Sequence, residues 1–192
     1  MKDPLKTVQK RADARRNRNL IIDAALACIA GDSEASMVDV AQAAGVSRAT
    51  LYGHFSSRKE LIEAVFQDVM QRTEEQLAAV DLNGDPAGAL SRLISLSWKL
   101  VDQHKQLLAA AEQELKPDRI RTYNDQPMTQ LQYLVDRGRR EGRFRDDQPV
   151  EWQMTCIYAI LHEGAAALRT GRLTEEEAVQ VVPDTIIRLV TT

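Results

Sequence analysis

A chain of 192 residues, 44% apolar and 28% charged, has the composition of an ordinary globular protein and can bury one substantial core or two small ones. The opening stretch MKDPLKTVQKRADARRNRN is charged throughout and no apolar run approaches the ~20 residues that span a bilayer, so the expectation is a cytoplasmic protein with neither signal peptide nor membrane helix. The net charge of −3 is unevenly spread: residues 1–20 hold seven Lys/Arg against two Asp, while residues 61–192 hold fifteen basic and twenty-one acidic residues, which points to a polyanion at the front end.

Residues 1–16 are expected to form a flexible basic arm. A first helix follows from Asn19 to Ala30, where Leu20, Ile21, Ala24, Ala25 and Ile29 give a broad apolar face and Gly31 stops it. Ser36, with Asp39 three residues on, caps a short second helix that ends at Gly45. A third starts after Ser47 and stops near Phe55. A fourth starts after Ser57, where SRKE has the capping-box form with Glu60 at the third helical position. Further helices are predicted over 58–80, 86–104, 105–115, 126–141, 149–170 and 174–190, separated by turns such as LNGDPAG, NDQP and TGRLTEE. No run alternates β-branched with polar residues, so the fold class is all-α. Cys28 and Cys156 lie in apolar helical patterns without a second Cys nearby, and are expected to be small buried hydrophobes.

The stretch from Val40 to Leu61, VAQAAGVSRATLYGHFSSRKEL, carries the functional signal. Ala41 and Gly45 are four apart on one side of the second helix, which lets the third cross closely, and Gly45 supplies the tight turn. With Val46, Leu51 and Phe55 turned to a core made with Leu20, Ala24 and Val40, the third helix presents Arg48, Ala49, Tyr52 and Gly53 outward, with Thr50 and His54 at the margins. At ~1.5 Å per residue this helix is about 12 Å long, a fit for the major groove of DNA. Its N-terminus offers amide donors and a positive dipole end to a phosphate, and Ser47 adds a hydroxyl. Domains are therefore expected at 17–60 for DNA binding and 61–192 for the rest. No nucleophile elbow, zinc-protease, P-loop or dinucleotide motif is present, which argues against an enzyme and gives no catalytic, metal or cofactor residue; His104, His162 and Glu163 match no compact ligand spacing.

VDVAQAAGVSRATLYGHFSSRKEL resembles the DNA-binding signature of the tetracycline-repressor (TetR/AcrR) family of one-component transcriptional regulators, with Ala41, Gly45, Val46, Ser47, Leu51, Tyr52, His54, Phe55, Lys59, Glu60 and Leu61 matching its pattern. The resemblance is specific over residues 17–65 and architectural beyond them. It implies that Arg48 and Ala49 meet base edges, that Tyr52 meets a phosphate or a thymine methyl, and that Ser47, Thr50, His54 and Lys59 meet phosphates. Ser36 is expected to add a phosphate contact where the family usually has Thr, and Arg15, Arg16 and Arg18 to reach DNA from the basic arm. Gly53 departs from the pattern, which more often has a bulky side chain there.

The resemblance further implies a C-terminal domain that dimerises and binds a small molecule. Its last two long helices would pack against their symmetry mates through Trp152, Cys156, Ile160, Ile186 and Leu189. Phe66, Met70, Trp98, His104, Tyr123, Met128, Leu131 and Tyr133 lie on helices that enclose the family's effector pocket, and point to an apolar or aromatic effector. The partners so implied are double-stranded DNA with a palindromic operator, a second copy of the chain, and that effector, which would release a repressor from its site. The same helices would equally serve a structural or adaptor DNA-binding protein with no effector; loss of DNA affinity on adding a small molecule separates the two.

Overall fold

The computed structural model describes the backbone of residues 4–191, and the side chains of all of these except residues 4–12 and 124–127. The described chain is all-α, as expected: α1 (Pro4–Gly31), α2 (Met37–Ala43), α3 (Arg48–His54), α4 (Arg58–Ala78), α5 (Pro86–Gln103), α6 (Lys105–Glu114), α7 (Pro117–Arg140), α8 (Val150–Arg169) and α9 (Glu175–Val190). Among the described residues the extended pairing is an isolated bridge between Phe144 and Thr191.

Most helices begin and end within two residues of where capping and turn chemistry put them, and two do not. No flexible arm occupies residues 4–16, because α1 is continuous from Pro4. Proline is well suited to the first helical position, and the Lys, Arg, Gln and Ala that follow are good helix formers with no glycine to interrupt them. Residues 1–3 lie outside the described residues. Likewise α7 starts at Pro117 and runs through Pro127, where NDQP reads as a break. An internal proline removes one helical hydrogen bond, and here the turns on either side carry the helix on.

The helices divide into two compact units, residues 1–69 with 106–120, and residues 70–105 with 121–192. In the first, α1 packs on α2 and α2 on α3. Its core holds Ile21, Ala25 and Ile29 of α1, Val40 and Ala41 of α2, Leu51 of α3, Phe55, and Leu61 and Val65 of α4, all buried. Leu20, expected in this core, is half exposed at 50%. The residues that do face inward follow the i, i+4, i+8 line one position later, a rotation of the helix that a broad apolar stripe leaves open. The first unit also takes in α6, with Leu107, Ala110 and Ala111 buried, so it reaches well beyond a cut near residue 60.

In the second unit α5, α8 and α9 pack on one another around Leu90, Leu93, Ile94, Ile157, Val182 and Ile186. Gly164 of α8 lets them meet closely: a Cβ there would lie 2.9 Å from Val182 Cγ2 and 3.0 Å from Trp98 Cζ3, so a larger residue would require those side chains to shift. Ile186, expected at a dimer face, is fully buried in this core. Apolar spacing reveals that a side chain wants burial and is silent on whether its own fold or a partner provides it.

Candidate nucleic-acid interface

The turn between α2 and α3 is built by backbone chemistry. Gly45 has φ +64°, in the left-handed region that glycine enters without strain. Its N–H donates to Gln42 O at 3.1 Å and that of Val46 to Ala41 O at 3.0 Å, the paired bonds of a Schellman stop. One residue later Ser47 caps α3: its Oγ accepts from the Thr50 N–H at 3.1 Å and pairs with Thr50 Oγ1 at 2.9 Å. Leu51 is fully buried and anchors the helix, and the Phe55 N–H donates to Leu51 O as the chain turns extended.

That anchoring leaves Ser47, Arg48, Ala49, Tyr52 and Gly53 exposed, with Thr50 and His54 half-buried at the edges. Tyr52 is 51% exposed, uncommon for so large a ring. Lys59, on the first turn of α4, is exposed as well. The face therefore offers a guanidinium, a phenol, an ammonium and two small residues that permit close approach.

Two of the expected contacts carry prior commitments. Ser36 caps α2 in a full capping box: its Oγ donates to Asp39 Oδ2 at 2.6 Å, its N–H donates to the same oxygen at 2.9 Å, and the Asp39 N–H donates back at 3.3 Å. These bonds, the side-chain one foremost, hold the Asp39 carboxyl below its ordinary value, so an anion stands beside the hydroxyl expected to greet a phosphate. Arg18 is on α1 with its guanidinium 5.1 Å from the centre of the Phe55 ring, a cation–π contact that makes it a support of α3. Arg15 and Arg16 are exposed on the same helix. Glu60 departs from the reciprocal box read in SRKE: Ser57 Oγ accepts the Glu60 N–H at 3.2 Å, but the Glu60 carboxylate takes the N–H and Oγ of Ser56, both at 2.8 Å.

Arg58 is a residue that motif spacing missed. Its Nε donates to Ala35 O at 3.2 Å and its Nη2 to Ser33 O at 2.5 Å, which ties the start of α4 to the loop before α2, and its Nη1 pairs with Glu114 of α6. The guanidinium fork reaches three acceptors at once, which a lysine could not do. Partners 23 to 56 residues away leave no local signature in the sequence.

A family model of bacterial regulatory proteins, tetR family, matches residues 21–65, the segment that holds this turn and the exposed helix. Residues 21–65 thus carry the DNA-binding domain of the tetR family. The chain is a DNA-binding transcriptional regulator. Among its relatives, the HTH-type transcriptional repressor LfrR of Mycolicibacterium smegmatis is 24% identical over 156 residues, 81% of each chain, and the repressor KstR2 of Rhodococcus jostii is 26% identical over 71% of each. The fold of LfrR solved in complex with proflavine superposes with a TM-score of 0.68 at 21% identity, covering 93% of this regulator and 98% of that chain.

The residues of the regulator's C-terminal part fall as follows. Phe66 is buried in the first unit. In the second, Trp98 and Leu131 are buried, and Met70, His104, Tyr123 and Met128 partly so. Tyr133 is 56% exposed on α7. Burial first, and then the Arg72 guanidinium, push the His104 imidazole below its ordinary value. On α8 and α9, Trp152 is 56% and Val181 49% exposed, with Cys156, Ile160 and Leu189 partly so. No helix among the described residues is long and apolar enough to cross a membrane.

Proposed function

We propose that this regulator represses transcription by occupying a palindromic operator as a homodimer, and that a small molecule bound in the second unit releases it. The observation that carries the reading is the outward face of α3, where Arg48, Ala49 and Tyr52 project from a capped helix whose other side is locked by Leu51. Arg48 stands at the first helical position, where a guanidinium can take the O6 and N7 edge of a guanine. Ser47, Thr50, His54 and Lys59 surround it as phosphate contacts that set register, with Arg15 and Arg16 adding charge from α1.

One helix of this length reads few base pairs, and twofold symmetry doubles the site. The exposed Trp152 and Val181, with Cys156, Ile160 and Leu189 beside them, supply the apolar face that a second copy would cover. Release follows if the effector favours a conformer whose two recognition helices no longer fit both half-sites, and a coupling of about 1–3 kcal/mol suffices for a large loss of affinity. The complex of the related LfrR with proflavine supports an apolar or aromatic effector.

Selecting binding sites from a random DNA pool tests the reading. Inverted repeats are expected, and Arg48→Ala should relax one position of each half-site and weaken specific binding by roughly 1–3 kcal/mol. Selected sites without twofold symmetry, or an unchanged preference in the variant, would overturn it.

A further inference from the structure

Glu114 is the last residue of α6, where local helix chemistry disfavours an acid. A carboxylate there faces the negative end of the helix dipole, a place that suits a basic residue. The reason for it lies across the first unit, on α4. The Glu114 carboxylate pairs with Nη1 of Arg58, and the two side chains are 26% and 23% exposed. The rest of that guanidinium is committed as well, through Nε to Ala35 O and through Nη2 to Ser33 O.

Both carbonyls belong to the turn that leads into α2. Its local bonds, Glu34 N–H to Asp32 Oδ1 at 2.9 Å and Ala35 N–H to Asp32 O at 3.0 Å, shape the turn but do not anchor it to α4. Ser36, the N-cap of α2, follows at once. A helix of seven residues does not hold itself, so the place of α2 depends on how its ends are tied and on what packs against its side. α3 packs on α2, and the placing of α2 is therefore passed on to the face that meets DNA. α6 is a firm base for such a tie, because Leu107, Leu108, Ala110 and Ala111 bury it. Without Glu114 the half-buried guanidinium would keep an unpaired charge and be drawn toward solvent, away from both carbonyls.

We propose that Glu114 is a positioning residue for DNA binding: it holds Arg58 onto the Ser33 and Ala35 carbonyls, which fixes the entry to α2 and so the pose in which α3 meets DNA. The inference rests on the DNA-binding role of α3, and on neither the effector nor the dimer. It runs against simple electrostatics. Removing an acid makes the DNA-binding unit more positive, which by itself strengthens attraction to a polyanion. Loss of positioning acts in the opposite sense, so the sign of the change separates the two. Glu63 supplies the control: it lies on α4 and pairs with Arg119 Nε of α7 at 2.5 Å, an ion pair of the same unit that does not include Arg58.

The experiment measures the affinity of the full-length protein for a duplex that the unaltered protein selects from a random pool, so the DNA-binding reading stands or falls before any variant is compared. Glu114→Gln, close to isosteric, should keep its circular dichroism spectrum and bind that duplex about tenfold more weakly. Glu63→Gln, which removes the same charge, should bind as tightly as the unaltered protein or more so. Arg58→Lys keeps the cation but lacks the fork, and should weaken binding as Glu114→Gln does. Because Glu114 acts through that fork, the double variant Arg58→Lys with Glu114→Gln should bind no more weakly than Arg58→Lys alone. Unchanged or raised affinity in Glu114→Gln, an equal loss in Glu63→Gln, full affinity in Arg58→Lys, or a loss in the double variant equal to the product of the single losses would each overturn the proposal.

Discussion

In the first unit α2 and α3 are seven residues each, whereas in the second α5, α8 and α9 run to 18, 20 and 16. Helices shorter than about 12–15 residues do not hold themselves in water, so the short pair depends on devices at its ends: the Ser36–Asp39 capping box, the Gly45 stop, the Ser47 cap and the Arg58 tie. The long helices depend on their sides, where continuous apolar faces meet around Ile94, Ile157 and Ile186. A helix held at its ends can leave its whole outer face free for DNA. A helix held along its side cannot, and the second unit has correspondingly little exposed that resembles a motif.

If that contrast is right, deleting core volume should hurt most where sides do the holding. Ile186→Ala is expected to cost roughly 2–5 kcal/mol in denaturant unfolding. Trp152→Ala on the exposed face of α8 should cost under about 0.5 kcal/mol of subunit stability, while weakening self-association by sedimentation. Equal costs for the two would remove the distinction between core and covered face.

Arg58→Ala attacks the ends instead. Losing a charged fork with three acceptors should cost about 1.5–3 kcal/mol, felt within the first unit. Amide exchange in residues 37–54 should quicken while that of α5, α8 and α9 holds, and uniform quickening would show one cooperative block in place of two. Smaller again, Ser47→Ala should cost about 1 kcal/mol, and Ser47→Gly only a few tenths, the order expected of a cap and the reverse of that expected from helix propensity. Thermal melts of the pair distinguish these.

The gentlest probe is acid. Hydrogen bonds from Ser36 to Asp39, and from Thr174 to Glu177 at the start of α9, lower both carboxyl pKa values. A lowered carboxyl stabilises the fold above its unfolded pKa, and that contribution fades as pH falls through the lower folded value. Below about pH 4, therefore, both capping boxes loosen. Protection in α2 should drop first, because α9 retains Ala178, Val182 and Ile186 in its core. Simultaneous loss in both helices would mean that caps matter equally everywhere.

The outward residues of α3 were legible because their signals are local. A serine before a helix, a glycine four residues after an alanine, and Leu51 three residues before His54 lie within one turn of what they act on, and their meaning does not depend on distant chain. Arg58 was not legible, since Ser33, Ala35 and Glu114 reach it only through folding. Arg18 was legible in part for the same reason: its charge is readable, and its place over Phe55 is not.

By itself the sequence determined the helical class, the caps, the α2–α3 turn and the outward set on α3, because hydrogen bonds over three or four residues and glycine's access to positive φ are written into neighbouring residues. Only the tertiary structure decided which apolar line of α1 faces the core, that α6 joins the DNA-binding unit, and that Ile186 is interior while Trp152 is not. Hydrophobic burial is non-directional, and an apolar stripe can be satisfied by its own fold or by another surface equally well. Which of these happens is settled by the close approach of helices, and that depends on contacts such as the one at Gly164 that no single segment encodes.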